Sequence, residues 1–195
     1  MDLAILDFIQ ERVRSPLLDS VMLLATHLGD LALVWLVVAA VLIAQPARRR
    51  YGVAVIAAVV AAAAVGMFVL KPLFGRMRPF AAHGFTGLLI PPPSGDSFPS
   101  NHSMASFAAA AAICCLPKGG RGVSALKAGA VAVALLIAVS RIYLYVHYPT
   151  DILAGAVIGI GIGMLSVWAV GKLWPKAPPG ACLLYTSDAA DEARS

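Results

Sequence analysis

The sequence predicts an all-α fold, a polytopic membrane helix bundle of six transmembrane helices with its polar residues gathered at the outer ends of the core helices. Three observations predict it. Of the 195 residues, 60% are hydrophobic and 13% charged, and the mean hydropathy is +0.84, more apolar surface than a soluble domain of this size can hide. The apolar residues fall into long runs broken by short polar connections. The basic residues fall on alternate connections, as the positive-inside rule requires.

In chain order, residues 1–15, "MDLAILDFIQERVRS", lack a basic stretch leading into an apolar core. They read as an amphipathic interfacial segment rather than a cleavable signal. Leu17 to Leu28 is a short first span carrying Asp19 and His27. Leu31 to Ala44, Tyr51 to Leu70, Ala125 to Val139 and Ile152 to Trp174 are long apolar segments, and Ser103 to Leu116 is a shorter one. At about 1.5 Å per residue the longer segments cross a hydrocarbon core of about 30 Å, and the shorter ones need their flanks or a thinned bilayer. The membrane domain is therefore residues 16–176. After "PKAPPGA" the apolar pattern stops, and "CLLYTSDAADE", Cys182 to Glu192, reads as a translated sequencing adapter. Residues 182–195 are accordingly set aside as a non-native tail.

If the segments alternate, Arg48 to Arg50, the turn holding Lys118, Arg121 and Lys127, and Lys172 with Lys176 share one side, which is then cytoplasmic. Arg12 and Arg14 join them if Leu17 to Leu28 crosses. The net charge of +5 is thus a topology signal and needs no nucleic acid to explain it.

Three polar islands fall on the opposite, outer side: "KPLFGRMRP" with Lys71 and Arg78, "PSNH" with Ser100, Asn101 and His102, and "SRIYLYVHYPTD" with Arg141, His147 and Asp151. Charged groups at a bilayer edge favour facing one another or a wet cavity. Three converging cations suit a dianionic phosphoryl group, arginine by its fork and lysine as a point charge. A hydroxyl and free amides at a helix start add donors where the helix dipole favours an anion. One histidine can then attack phosphorus and the other protonate the departing oxygen. Asp151 is spaced to accept a hydrogen bond from the His147 nitrogen that does not attack.

These three islands resemble the signatures of the membrane-bound type 2 phosphatidic acid phosphatase family, Lys-x6-Arg-Pro, Pro-Ser-Gly-His and Ser-Arg-x5-His-x3-Asp, in the same order. The resemblance implies a lipid phosphatase working through a phosphohistidine, with His147 as nucleophile, Asp151 as its partner and His102 as general acid. It also implies Lys71, Arg78, Ser100 and Arg141 as phosphate ligands and a reaction that uses no metal or other cofactor. The family's glycine is Asn101 here, the residue after glycine that best tolerates left-handed backbone, and its amide N–H is kept, so the phosphate cradle is expected to survive. Undecaprenyl diphosphate is the first choice of substrate by family analogy, with phosphatidylglycerophosphate or phosphatidate as runner-up. The implied place is a bacterial cell membrane, with the site facing the periplasm or exterior.

Other polar residues read more plainly. His27 and His83 are an interfacial and a loop histidine, Arg76 a headgroup or loop contact, Asp96 a turn residue beside Gly95, and Cys114 and Cys115 small fillers. Gly155, Gly159 and Gly163 form a small-residue stripe that suits close packing inside one subunit or, less often, a homodimer seam. A small transporter is the alternative from a different class, but it would carry its polar groups within helices near the bilayer centre. A haloperoxidase shares the phosphate-type constellation, but its relatives are soluble.

Overall fold

The protein is seen as a computed structural model that describes residues 2–174; Lys176 and the 182–195 tail lie outside the described residues. The described residues are helical, with no strand among them. Helix α1 is Asp2–Phe8, running into a π-helical turn at Ile9–Val13. Helix α2 is Pro16–Gly29, started by proline at its first turn and by the Ser15 hydroxyl, which accepts from the Leu18 N–H at 3.4 Å. Then come α3 (Leu33–Ile43), α4 (Arg49–Ala64, prolonged by a π-helical stretch at Val65–Leu70) and the short α5 (Lys71–Phe74) and α6 (Pro79–His83). Helices α7 (Asn101–Cys114), α8 (Arg121–Tyr143) and α9 (Pro149–Leu173) complete the bundle.

Among the described residues, four stretches are long and apolar enough to cross a membrane: Pro16–Ile43, Arg49–His83, Arg121–Tyr143 and Pro149–Leu173. Helix α7, of 14 residues, stands in the middle of the bundle, packed on α4, α8 and α9. Its Ala108, Ala109, Ala110 and Ala112 are buried, and such small side chains let neighbouring backbones come close. Gly155, Gly159 and Gly163 form the matching face of α9. A Cβ at Gly155 would stand 2.9 Å from Ser100 O, and one at Gly159 or Gly163 would strike the carbonyls of Met104 or Ala108. The stripe packs closely against α7 inside the chain.

The expected first span, Leu17 to Leu28, does not run the length of the bundle. The Ser15 N–H donates to Tyr143 Oη at 3.3 Å, Tyr143 donates to Asp19 at 2.7 Å, and Arg141 donates to Thr26 Oγ1. Gly29 lies against His102 and Ile137. Both ends of α2 therefore sit on the last turns of α8, where Asp19, Thr26 and His27 find polar company that a lipid-facing span would deny them. Leu31 and Ala32, at φ 52° and 56°, break the helix, and α3 then runs to the far end, where Gly52 packs on Ala39 and Ile43. Arg12 and Arg14 consequently do not join the basic end: Arg14 Nη1 donates to Gly87 O at 3.1 Å and to Gln10 at 3.1 Å, beside the loops that follow α6. The basic start of α4, with Arg50 and Tyr51, shares a pocket with Lys172 at the opposite end.

Candidate active site

Three connections meet at one end of the bundle. Gly75, at φ 54°, ends α5 and turns the chain back so that Arg76 and Arg78 follow Lys71 closely. The loop from 85 to 100 is tied to this turn, because the Ser97 N–H donates to Arg76 O at 2.7 Å. Ser100 caps α7: its hydroxyl accepts from the Ser103 N–H at 3.4 Å, and its own N–H donates to Asp151 O at 3.2 Å. After α8 the chain folds back on itself, the N–H groups of Val146 and His147 both donating to Arg141 O at 3.2 and 3.3 Å. Tyr148 then caps α9, where Asp151 Oδ2 accepts from the Tyr148 N–H at 2.9 Å.

The result is a cavity of about 340 Å³ lined by Lys71, Arg78, Asn101, His102, Arg141 and His147, with Met67 and the Pro93 to Gly95 turn completing its wall. Six of the eight predicted site residues thus face one space. Ser100 and Asp151 stand behind the wall, wholly buried.

His147 is only 2% exposed. Its Nδ1 lies 3.5 Å from Asp151 Oδ2 and 3.4 Å from Ser97 Oγ, and Ser97 donates to that same carboxylate oxygen at 2.5 Å. Arg78 Nη1 is 3.2 Å from His147 Nε2. A guanidinium can only donate, so Nε2 is the unprotonated nitrogen and Nδ1 carries the hydrogen toward Asp151. Burial pushes the imidazole below its ordinary pKa; the Asp151 contact opposes this and the neighbouring Arg78 adds to it. The ring is therefore held neutral with its Nε2 lone pair on the cavity side, as a nucleophile needs.

Asp151 is held from the other side by a residue the sequence reading placed elsewhere. Arg76 Nη1 is 2.7 Å from Asp151 Oδ1 and 2.7 Å from Thr150 Oγ1, its Nη2 is 3.1 Å from Asp2 Oδ2, and its guanidinium lies 3.9 Å above the centre of the Tyr148 ring. Arg76 is thus a clamp on the carboxylate rather than a headgroup contact. Ser97 and Thr26 were also missed. The only sequence signal for Arg76 and Ser97 is nearness to a motif, and Thr26 has none.

The cations are anchored by backbone. Lys71 donates to Asp96 O, while Arg78 donates to the carbonyls of Gly95 at 2.8 Å, Val146 at 3.1 Å and Ser94 at 3.2 Å. Arg141 donates to Thr26 Oγ1, and its Nε is buried without a partner. His102 Nε2 lies 3.1 Å from Asp30 Oδ1. Asn101 is the first residue of α7 and not among the residues of positive φ, so the left-handed tolerance expected of it is never used. Its side chain occupies room left by Gly66, whose Cβ would collide with Asn101 Oδ1.

The chain is similar to proteins of known activity and structure. Undecaprenyl-diphosphatase of Sulfolobus acidocaldarius is 33% identical over 135 residues, 69% of this chain and 62% of that protein, so this chain spans less than two thirds of that relative's length. Decaprenylphosphoryl-5-phosphoribose phosphatase of Mycobacterium tuberculosis is 35% identical over 159 residues, 78% of this chain and 84% of that protein. The crystal structure of a transmembrane PAP2-type phosphatidylglycerolphosphate phosphatase from Bacillus subtilis superposes with a TM-score of 0.70 at 27% identity, covering 90% of this chain and 86% of that one. The PAP2 superfamily model matches residues 50–175, a span holding all three polar islands, and the chain belongs to that superfamily.

Proposed function

We propose that the protein is an integral membrane lipid phosphatase that removes a terminal phosphate from a lipid phosphate or diphosphate through a phosphohistidine. The observation that carries this reading is the placement of a neutral, buried His147, its Nε2 unprotonated, in the same cavity as Lys71, Arg78 and Arg141. Nε2 attacks phosphorus, the cations take up the charge of the equatorial oxygens, and the bond to the lipid oxygen breaks. His102 gives its proton to that departing oxygen, then accepts one from the water that hydrolyses the phosphohistidine. Asp151, with Arg76 and Ser97 behind it, keeps the His147 Nδ1–H aimed away from phosphorus. Asn101 and Ser100 support the phosphate side at the start of α7.

The substrate proposed first is undecaprenyl diphosphate. What supports it is that matched relatives bear the names of polyprenyl-linked phosphatases. Phosphatidylglycerophosphate or phosphatidate is the second reading, favoured by the likeness to the B. subtilis enzyme. Purified protein in detergent, free of divalent metal, would be given these three lipids side by side. Turnover of the polyprenyl diphosphate above the other two supports the first reading; comparable turnover of all three removes the ranking, and an absolute need for a divalent ion overturns the mechanism.

The site is proposed to face the periplasm or cell exterior, because the basic residues Arg48 to Arg50, Lys118 to Lys127 and Lys172 lie away from it. Cysteine at Thr86 should react with an impermeant thiol reagent in intact cells, and cysteine at Gly120 should not. The reverse pattern turns the site inward and excludes recycling of an outer-leaflet lipid.

A further inference from the structure

We propose that Asp30 is the positioning carboxylate of His102, a second acid–histidine pair facing the Asp151–His147 pair across the cavity. The proposal rests on the reading of His102 as general acid given above. Asp30 stands at the break between α2 and α3, where Leu31 and Ala32 both take left-handed backbone, φ 52° and 56°. Two successive non-glycine residues in that region are costly, and the bend they make brings Asp30 against α7. There Asp30 Oδ1 lies 3.1 Å from His102 Nε2, and Asp30 Oδ2 lies 2.9 Å from Nδ1 of His27. Asp151, the partner of His147, is taken up by Arg76, Ser97 and the Tyr148 N–H.

The ring of His102 is fixed as well as paired. A Cβ at Gly29 would come within 2.8 Å of both His102 Cδ2 and Ile137 Cγ2, so only glycine lets the ring lie where Asp30 meets it. Because a carboxylate accepts, the proton on Nε2 belongs to the Asp30 contact, and Nδ1 is the nitrogen left to serve the cavity. In the first chemical step the phosphorus–oxygen bond breaks with its electron pair on the lipid oxygen, and the Nδ1 proton of the imidazolium goes to that oxygen. The neutral ring that remains keeps its Nε2–H on Asp30. Burial first, and then the neighbouring Arg141 and Arg78, disfavour an imidazolium there; Asp30 opposes them. His27, paired to the outer oxygen, holds the carboxylate in line.

The test compares phosphatidate, whose leaving group is a basic alkoxide, with para-nitrophenyl phosphate, whose leaving group is a stable anion. Asp30→Asn is expected to lower kcat on phosphatidate by about 10- to 100-fold and on the aryl phosphate by less than about 3-fold, with KM little changed. It should add no further loss in a His102→Ala background, and Asp30→Glu should recover much of the rate. Gly29→Ala, which keeps the carboxylate but displaces the ring, should give the same leaving-group signature and guards against misfolding of the first variant. Equal losses on both substrates, or losses that add to those of His102→Ala, overturn the pairing while leaving the phosphatase reading intact. If His102→Ala itself lowers both substrates equally, His102 is not the acid, and this proposal falls together with that assignment.

Discussion

Arg76 Nη1 stands 2.7 Å from Asp151 Oδ1, a charged contact between a carboxylate with no exposed surface and a guanidinium about one third exposed. The same guanidinium reaches Asp2 near the start of α1, so the N-terminal segment is tied to the residue that orients His147. Asp151 accepts from three donors, Arg76, Ser97 and the Tyr148 N–H, and faces the His147 ring at 3.5 Å; its value to the proposed nucleophile depends on those three holding it still. Arg76→Ala is expected to lower kcat by about 10- to 100-fold with little change in KM, as loss of an orienting partner does. Arg76→Lys keeps the charge but not the fork, and should recover only part of the rate. A rise in KM at constant kcat would make Arg76 a substrate contact instead.

Ser97 makes the shortest contact to Asp151 Oδ2, at 2.5 Å, and stands between that oxygen and His147 Nδ1. Removing the hydroxyl leaves a buried carboxylate with one donor fewer, a loss of about 1–3 kcal/mol. Ser97→Ala should therefore lower detergent stability measurably and kcat by about tenfold. Ser97→Cys should do the same, since a thiol is a weak donor. An unchanged rate in both variants would show that Asp151 meets His147 without the serine.

Gly66 and Asn101 depend on each other. Because a Cβ at Gly66 would collide with Asn101 Oδ1 and come within 2.5 Å of Met104 Cε, Gly66→Ala alone should be destabilising by about 1–3 kcal/mol, the cost of overpacking. Asn101→Gly removes the obstructing amide but adds a glycine to the first turn of α7. The double variant should be more stable than the sum of the two single losses predicts, with a coupling of about 0.5–2 kcal/mol read from denaturation in detergent. Strict additivity would show that Met104 rather than Asn101 fills the space.

The motif residues were legible because each sits at a helix end whose position follows from hydropathy, and counting apolar segments brings such ends to one side. What was not legible depends on where the chain goes between segments. Thr26 and Asp30 reach Arg141 and His102 only because α2 lies along the active-site end, and the left-handed pair Leu31 and Ala32 gives no glycine or proline to mark the bend. Arg76 looked like a spare cation because the turn at Gly75 sends it under Asp151, a contact set by tertiary packing. The glycine stripe of α9 gave no sign of which backbone it would meet; the structure sets it against the carbonyls of α7.

The last prediction concerns pH. Burial first, and the neighbouring Arg78 in addition, hold the folded His147 imidazole below its ordinary pKa although Asp151 pulls the other way. In the unfolded chain the ring has an ordinary pKa of about 6.5. Between the folded and unfolded values the unfolded state therefore binds a proton that the folded state refuses, and stability falls as pH drops below about 6.5, by up to about 1.4 kcal/mol per pH unit. Above pH about 6.5 both states are neutral and this group adds no pH dependence. His147→Asn cannot take up that proton in either state. Its melting temperature in detergent, relative to the parent, should be constant from about pH 8 to 6.5 and rise in its favour as pH is lowered further. The same depression keeps the proposed nucleophile neutral in mildly acidic buffer, so any acid-side loss of kcat/KM assigned to His147 should lie well below pH 6.5. A stability difference that stays flat down to about pH 5 would mean that the ring titrates as freely in the folded protein as in the unfolded chain, and that His147 is not held neutral by its surroundings.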